Sequence, residues 1–191
     1  MIGENLDPED FCLVFSSKIL LKNVIYQAQT TSTRYVCLDG TYKLSVLGYP
    51  VIVIGTQNLE HHFRPIAIAF AKHEREKDYS FVLQSIKDAL EKFYKYAWEV
   101  DLVMADVGLA IFNATKSISG NSYKHAMCSV HVFRNTEKKI ISKVSRQHRK
   151  DLRNDLRFLE DLPDQSLFDI VIKLFEEKWK KKDTRIYRLL F

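Results

Sequence analysis

Two apolar runs that each end in an aspartate constrain the fold of this chain more than any other feature of its sequence. The first is Tyr35-Val-Cys-Leu-Asp39, followed by glycine, and the second is Asp101-Leu-Val-Met-Ala-Asp106. Short apolar runs of this kind are typical of buried strands. If the two strands are neighbours, their carboxylates can hold a divalent ion, and two such ions about 4 Å apart can drive in-line phosphoryl transfer. Either aspartate alone could equally cap a helix or a turn.

The apolar periodicity around these runs predicts an alternating order of strands and helices. Five strands are predicted, over residues 34–44, 49–56, 63–71, 100–105 and 125–133. Short polar connections between the first three indicate antiparallel hairpins. One helix is predicted from Asp78 and a second through Leu109, because apolar residues recur there every three or four positions. For residues 11–28, a helix capped by Ser16 or Ser17 and a strand are both compatible with the pattern.

The composition permits a substantial core and excludes several classes of protein. Apolar residues make up 46% of the 191 residues, yet no stretch reaches the roughly 18 apolar residues of a membrane span. The acidic amino terminus has no basic region of the kind that begins a secretory signal. Three widely spaced cysteines argue against a disulfide framework and for a reducing compartment.

Positive charge is concentrated in the last third of the chain. Residues 1–133 have 13 Lys and Arg against 14 Asp and Glu, whereas residues 134–191 have 16 against 10. The run from Arg134 to Arg157 alone has nine cations and three carboxylates. Such a run can bind a phosphate backbone, or it can simply be a solvated helix face.

The region after Phe133 is predicted to be entirely helical. One helix has Leu152, Leu156 and Leu159 on a single face, Pro163 marks a break, and Asp164 or Ser166 begins the next helix. The apolar stripe of that last helix comprises Leu167, Ile170, Val171, Leu174, Phe175 and Trp179. A stripe of this kind needs a surface to pack against.

Several segments, taken in order, resemble the transposase domain of Mutator-like elements (MULE), in the DDE transposase superfamily. They are Asp39-Gly-Thr-Tyr-Lys43, Gly48-Tyr-Pro-Val-Ile-Val-Ile-Gly55, Phe63-Arg-Pro-Ile-Ala67, Ala105-Asp106, Cys128-Ser-Val-His131 and the stretch from Phe168 to Trp179. The likeness covers about residues 11–182, and the joint order of the motifs is more specific than any one of them.

The resemblance implies an α/β, ribonuclease H-like fold. Its mixed five-stranded sheet would have strand one between strands two and four, with helices on both faces. A lead-in segment over 1–33 would precede a catalytic core over 34–133 and a basic helical insertion over 134–191. Because the chain ends inside what resembles the insertion and lacks the family's amino-terminal zinc module, we expect a fragment. Leu167, Ile170, Leu174 and Trp179 should then be incompletely covered.

The resemblance also implies a site. Two aspartates and a glutamate of the family bind two divalent ions, Mg²⁺ or Mn²⁺, and Asp39 and Asp106 match the two aspartates as catalytic, metal-binding residues. The glutamate has no match. The available carboxylates of Glu160, Glu176 and Glu177 lie on the insertion helices, away from the expected position.

Two further groups of residues matter if the resemblance holds. Arg134, Lys138 and Lys139 follow the fifth predicted strand, where they would contact DNA. Cys128 and His131 have the spacing of zinc ligands, but packing, positioning of substrate and metal binding all remain open for them.

The function implied is that of a MULE transposase catalytic-core fragment. Its ancestral chemistry would be metal-dependent cleavage of DNA phosphodiesters and strand transfer at transposon ends, in the nucleus, with a homo-oligomer as one possible state. Without the third carboxylate we expect the chain to be inactive alone, and the sequence does not decide whether it is an enzyme. The alternative is a non-catalytic domesticated domain that binds DNA or protein.

Overall fold

The computed structural model describes residues 1–41, 46–60, 62–106, 108–119 and 123–190. The chain divides into two compact units, Met1–Cys128 and Ser129–Phe191. The sequence predicted the boundary between the core and the helical region after Phe133. Strands lie in the first unit and helices in both.

Seven strands are found among the described residues of the first unit. They are β1 (Gly3–Asn5), β2 (Cys12–Phe15), β3 (Tyr35–Thr41), β4 (Val51–Gln57), β5 (Phe63–Ala71), β6 (Leu102–Ala105) and β7 (Lys124–Met127). Its helices are α1 (Lys18–Thr30), α2 (Glu76–Tyr94) and α3 (Leu109–Ser119). The second unit has α4 (Ser129–Lys143), α5 (Arg146–Glu160), α6 (Gln165–Lys182) and α7 (Thr184–Leu190).

The strands form one mixed sheet in the order β1-β2-β5-β4-β3-β6-β7. The pairs β3–β6 and β6–β7 are parallel, and the other pairs are antiparallel. The first predicted strand, β3, lies between the second, β4, and the fourth, β6, which confirms the predicted centre of the sheet.

The prediction of only five strands is wrong because the lead-in segment adds two. Cys12 and Val14 alternate with less buried neighbours and pair β2 with β5, and β1 then pairs with β2. Directly afterwards the Ser17 hydroxyl accepts a hydrogen bond from the Leu20 amide and caps α1. Both predictions for residues 11–28 are therefore confirmed, the strand for its first part and the capped helix for the part that follows. A four-residue strand leaves too short a pattern to be recognised before a helix begins.

The three helices of the first unit lie on one face of its sheet. Helix α2 contacts both α1 and α3, and α1 and α2 contact the strands. Side chains on that face are fully buried, among them Val36, Leu38, Ile52, Ile54, Val103 and Ala105. On the opposite face Phe15, Ile68 and Phe70 are each 36–37% exposed. The sequence had predicted helices on both faces, and those of the first unit cover one.

The last predicted strand is shorter than expected. It ends at Met127, and helix α4 begins at Ser129, so the run from His125 to Phe133 is part strand and part helix. Apolar and polar residues alternate over a short stretch here, and such a stretch does not distinguish a strand from the first turn of a helix.

The second unit is helical, as predicted, and has a core of its own. That core contains Ile140, Val144, Leu152, Leu159, Phe175, Trp179 and Ile186. Asp164 caps α6 by accepting the Leu167 amide at 2.9 Å, which confirms one of the two predicted starts. Among the described helices, none combines the length and the apolar composition that a membrane span requires.

The stripe on α6 is only partly exposed. Leu167, Ile170 and Leu174 are exposed, as predicted. Trp179 is fully buried and its Nε1 donates to Asp155 Oδ2 at 2.9 Å, so the prediction for this residue is wrong. Trp179 lies on the side of α6 that faces the core, together with Phe175, and the polar end of the indole finds its acceptor on α5.

Candidate functional site

Asp39 of β3 lies level with Asp106, the residue that directly follows the neighbouring parallel strand β6. Leu38 of β3 pairs with Ala105, the last residue of β6, and the two aspartates are the next residues along the chain from this pair. Leu38 and Ala105 are buried, whereas both aspartates are exposed, so the two carboxylates project from the same face of the sheet. Neighbouring strands are about 4.8 Å apart, which is close enough for both side chains to reach one ion.

An ion pair at the opposite end of the same two strands fixes this register. Arg34 donates from Nε and from its backbone amide to Asp101 Oδ2, at 2.9 and 2.8 Å, and from a terminal nitrogen to Oδ1 at 2.6 Å. The Asp101 amide in turn donates to the Arg34 carbonyl at 2.7 Å. These hydrogen bonds from Arg34 lower the pKa of Asp101 to about 2. No periodicity in the sequence indicates this pair, although its separation of 67 residues equals that of the two aspartates.

Gly40, the residue after Asp39, faces the opposite side of β3, and there is no room for a side chain on that side. A Cβ at this position would lie 1.9 Å from Glu74 Oε1 and 2.9 Å from the Tyr79 hydroxyl. Glu74 therefore occupies the face opposite to Asp39, which removes it as a ligand partner for the two aspartates. The Asp-Gly dipeptide thus places a carboxylate on one face and a close contact on the other.

Cys128, the residue that directly follows β7, continues the row of the two aspartates. Met127 pairs with Ala105, and the Cys128 amide donates to the Ala105 carbonyl at 3.1 Å, so Cys128 stands level with Asp106. His131 is in the first turn of α4, beyond the end of the strand. Cys128 therefore belongs to the first unit and His131 to the second, and packing, substrate positioning and metal binding stay predictions for them.

The other two cysteines do not complete a metal site with Cys128. Burial raises the pKa of the Cys12 thiol to about 12 and that of Cys37 to about 11, so neither is a ready thiolate ligand. In the part of the chain that the structure describes, no three His, Cys, Asp or Glu side chains come together as a metal-binding group.

The aspartate pair fits two positions in the coordination shell of a divalent ion. Mg²⁺ is commonly bound through one or two carboxylates, with water and substrate phosphates as its other ligands. Glu160 is on α5, and Glu176 and Glu177 are on α6, all in the second unit. The described residues supply two carboxylates of the expected three at the sheet.

The three predicted DNA-binding residues are exposed on α4 in the second unit. Arg134 and Lys138, one helical turn apart, line a groove between α4 and α5, and Lys139 lies beside it. Arg157 and Phe133 line the same groove. From the sequence, Arg157 is only one member of the basic run, because spacing along one helix does not reveal which residues of two helices meet.

Comparisons with known proteins place this chain in a family. The MULE transposase domain matches residues 35–135, just over half of the chain, and the chain belongs to that family. The match begins at the first residue of β3 and includes Asp39, Asp106 and Cys128-Ser-Val-His131. The protein is therefore related to transposases.

A solved structure is also similar. It is a chain of the cryo-EM structure of the simian T-cell lymphotropic virus intasome in complex with PP2A regulatory subunit B56 gamma, with a TM-score of 0.32 and 14% sequence identity. The likeness covers 76% of this chain and 47% of that chain, so this chain spans about half of its length. A comparison with curated proteins gave no match.

Proposed function

We propose that this chain carries the metal-dependent phosphoryl-transfer core of a MULE transposase on a ribonuclease H-like sheet, with DNA phosphodiesters as substrate. The observation that carries the proposal is the level placement of Asp39 on β3 and Asp106 directly after the parallel neighbour β6. Family membership and the strand order around β3 support it.

Each residue has a defined part in this proposal. The carboxylates of Asp39 and Asp106 would hold the ion, and Arg34 with Asp101 holds β3 and β6 in the register that keeps the two carboxylates level. A bound Mg²⁺ or Mn²⁺ would activate the attacking hydroxyl and stabilise the leaving oxygen. Arg134, Lys138 and Lys139 bind the DNA backbone, which positions DNA without reading its sequence.

The chain alone is proposed to be inactive. With two carboxylates in place of three, the second ion lacks an anionic ligand, and its position is not fixed. Nuclear location and assembly into a homo-oligomer at transposon ends belong to the same proposal.

Nicking of supercoiled plasmid DNA in Mn²⁺ tests the proposal. We expect at most trace nicking and no strand transfer from the wild-type chain. Robust nicking that is lost in Asp39→Ala and in Asp106→Ala, but kept in the exposed control Asp169→Ala, would confirm the two aspartates as the site. It would also contradict the proposal that the chain alone is inactive. The third ligand would then be sought by substituting Glu160, Glu176 and Glu177 in turn. Nicking that survives both aspartate substitutions would show that Asp39 and Asp106 are not the catalytic residues.

A non-catalytic domain that binds DNA or protein is the second candidate. It is favoured by one observation, the lack of a third metal-binding side chain at the sheet among the described residues. Duplex DNA binding that is unchanged by Mn²⁺ and by Asp39→Ala would support it.

A further inference from the structure

A groove between α4 and α5 in the second unit combines an apolar wall with an excess of positive charge. We refer to it as the α4–α5 groove. Phe133 and Leu156, both half-buried, contribute the apolar surface, and the space between the helices is about 440 Å³. Pockets of this size hold small ligands, and a nucleotide is within their range.

The single carboxylate in the groove is already neutralised. Arg153 Nε donates to both oxygens of Glu137, at 2.9 and 3.0 Å, and a terminal nitrogen of Arg153 makes a further short contact. This bonding lowers the pKa of Glu137, so the carboxylate stays ionised and paired with Arg153.

Three cations at the groove have no such partner. Arg134, Lys138 and Arg157 make no ion pair or side-chain hydrogen bond with any residue that the structure describes, although the charge of Arg157 also helps to lower the pKa of Glu137. The groove thus presents three positive charges around an apolar wall, and its occupant should be anionic and also have an apolar surface.

Unpaired DNA has both properties, whereas duplex DNA shows mainly phosphates because its bases are stacked inside. Single-stranded nucleic acids are commonly bound by aromatic side chains that stack on bases, within a basic groove that follows the backbone. A free inorganic anion would make no use of Phe133 and Leu156.

We propose that the α4–α5 groove binds one unpaired nucleotide of a DNA strand. Its base packs against Phe133 and Leu156, and its flanking phosphates bind Arg134, Lys138 and Arg157. This inference rests on the proposed function to the extent that DNA is the substrate. It is independent of the metal and of the two aspartates.

Fluorescence anisotropy with the full chain tests the inference. The probes are a labelled oligothymidine of about ten nucleotides, an abasic strand of the same length and charge, and a duplex of the same length. We expect the oligothymidine to bind at least about fivefold more tightly than the abasic strand, the smallest gain expected for one base stacked on an aromatic ring.

Matched variants separate the base from the phosphates. Phe133→Leu retains an apolar side chain but removes the flat ring, and it should abolish the preference for the base-bearing strand while leaving abasic affinity unchanged. The triple variant Arg134→Gln, Lys138→Gln, Arg157→Gln should weaken both strands by tenfold or more. The control triple Lys143→Gln, Lys150→Gln, Lys173→Gln removes the same charge from exposed positions outside the groove and should weaken both strands less. Circular dichroism melting checks that each variant is folded.

Three results would overturn the inference. They are equal affinity of the wild-type chain for base-bearing and abasic strands, equal weakening by the two triple variants, and displacement of oligothymidine by an acidic amphipathic peptide at lower concentration than by unlabelled oligothymidine. In each case binding of the duplex and of Mn²⁺ can still be measured, so failure here is distinct from failure of the proposed function. Loss of Mn²⁺ binding at the aspartates would leave the base preference intact.

Discussion

Arg34 and Asp101 are bonded to each other at one end of β3 and β6, each of them five residues before one of the paired aspartates Asp39 and Asp106. The ion pair and the aspartate pair therefore stand at opposite ends of the same parallel ladder between β3 and β6. A slip of one residue would turn one aspartate to the opposite face of the sheet. The bonded end of the ladder thus sets the geometry of the end that carries the carboxylates.

Asp101→Asn should weaken the first unit and change its response to acid. The folded pKa of about 2 is below the ordinary value of 3.8, so the stabilisation is fully present above about pH 4 and is lost as the pH falls towards 2. Because the side chain is 39% exposed, we expect a loss of only about 1 kcal/mol at neutral pH.

Urea unfolding at pH 6 and at pH 3, followed by circular dichroism, measures both effects. The difference in unfolding free energy between the two pH values should be smaller in Asp101→Asn than in the wild type. Arg34→Gln, which removes the partner and leaves the carboxyl, should reduce it similarly. Retention of the full wild-type difference in both variants would contradict this role of the ion pair.

Gly40→Ala should destabilise the first unit by about 1–3 kcal/mol, the usual cost of forcing an extra methyl group into a filled space. The new Cβ would meet the Glu74 carboxylate and the Tyr79 hydroxyl. Thermal unfolding of Gly40→Ala, with Gly108→Ala as the control, checks this prediction, since a Cβ at Gly108 meets no atom within 4 Å. In a Glu74→Ala background the cost of Gly40→Ala should shrink, and an unchanged cost there would show that Glu74 is not the obstacle.

Two leucines of the second unit should differ sharply when truncated. Leu152 is fully buried in the core, whereas Leu174 is 61% exposed. Leu152→Ala should cost about 2–5 kcal/mol and Leu174→Ala less than about 0.5 kcal/mol. Trp179, buried in the same core, reports unfolding by fluorescence in a Trp98→Phe background, because Trp98 belongs to the first unit. A large loss in Leu174→Ala would mean that the exposed stripe on α6 contributes to stability in solution.

The basic residues of α4 should control how salt affects binding to duplex DNA. Each phosphate contact contributes about 0.9 to the slope of log affinity against log salt concentration. Arg134→Gln, Lys138→Gln, Lys139→Gln together should lower that slope by about 2 to 3, measured by anisotropy over a range of salt concentrations. The control triple Lys143→Gln, Lys150→Gln, Lys173→Gln carries the same charge change. If it lowers the slope equally, the three predicted residues have no special place in DNA binding.

The sequence predicted the centre of the sheet because β4 and β5 are nearly unbroken apolar runs and α2 has a regular stripe. It did not predict β1, since Gly3-Glu4-Asn5 has no apolar pattern and becomes a strand only through its hydrogen bonds to β2. The placement of Asp39 beside Asp106 could be predicted because each follows an apolar run, and the two runs form neighbouring strands. The Arg34–Asp101 pair and the α4–α5 groove could not be derived from periodicity, because both depend on contacts between separate elements.

Binding of Mn²⁺, measured by the loss of the free-ion signal in electron paramagnetic resonance, tests the central claim that Asp39 and Asp106 hold one ion together. We predict binding to the wild-type chain and to the control Asp169→Asn. Asp39→Asn and Asp106→Asn should each weaken it at least about tenfold, a loss of about 1.4 kcal/mol. The double variant should bind Mn²⁺ only a little more weakly than either single variant, because the loss of one carboxylate already removes the joint site. No binding to the wild-type chain, or equal binding to the wild type and to both single variants, would contradict the claim.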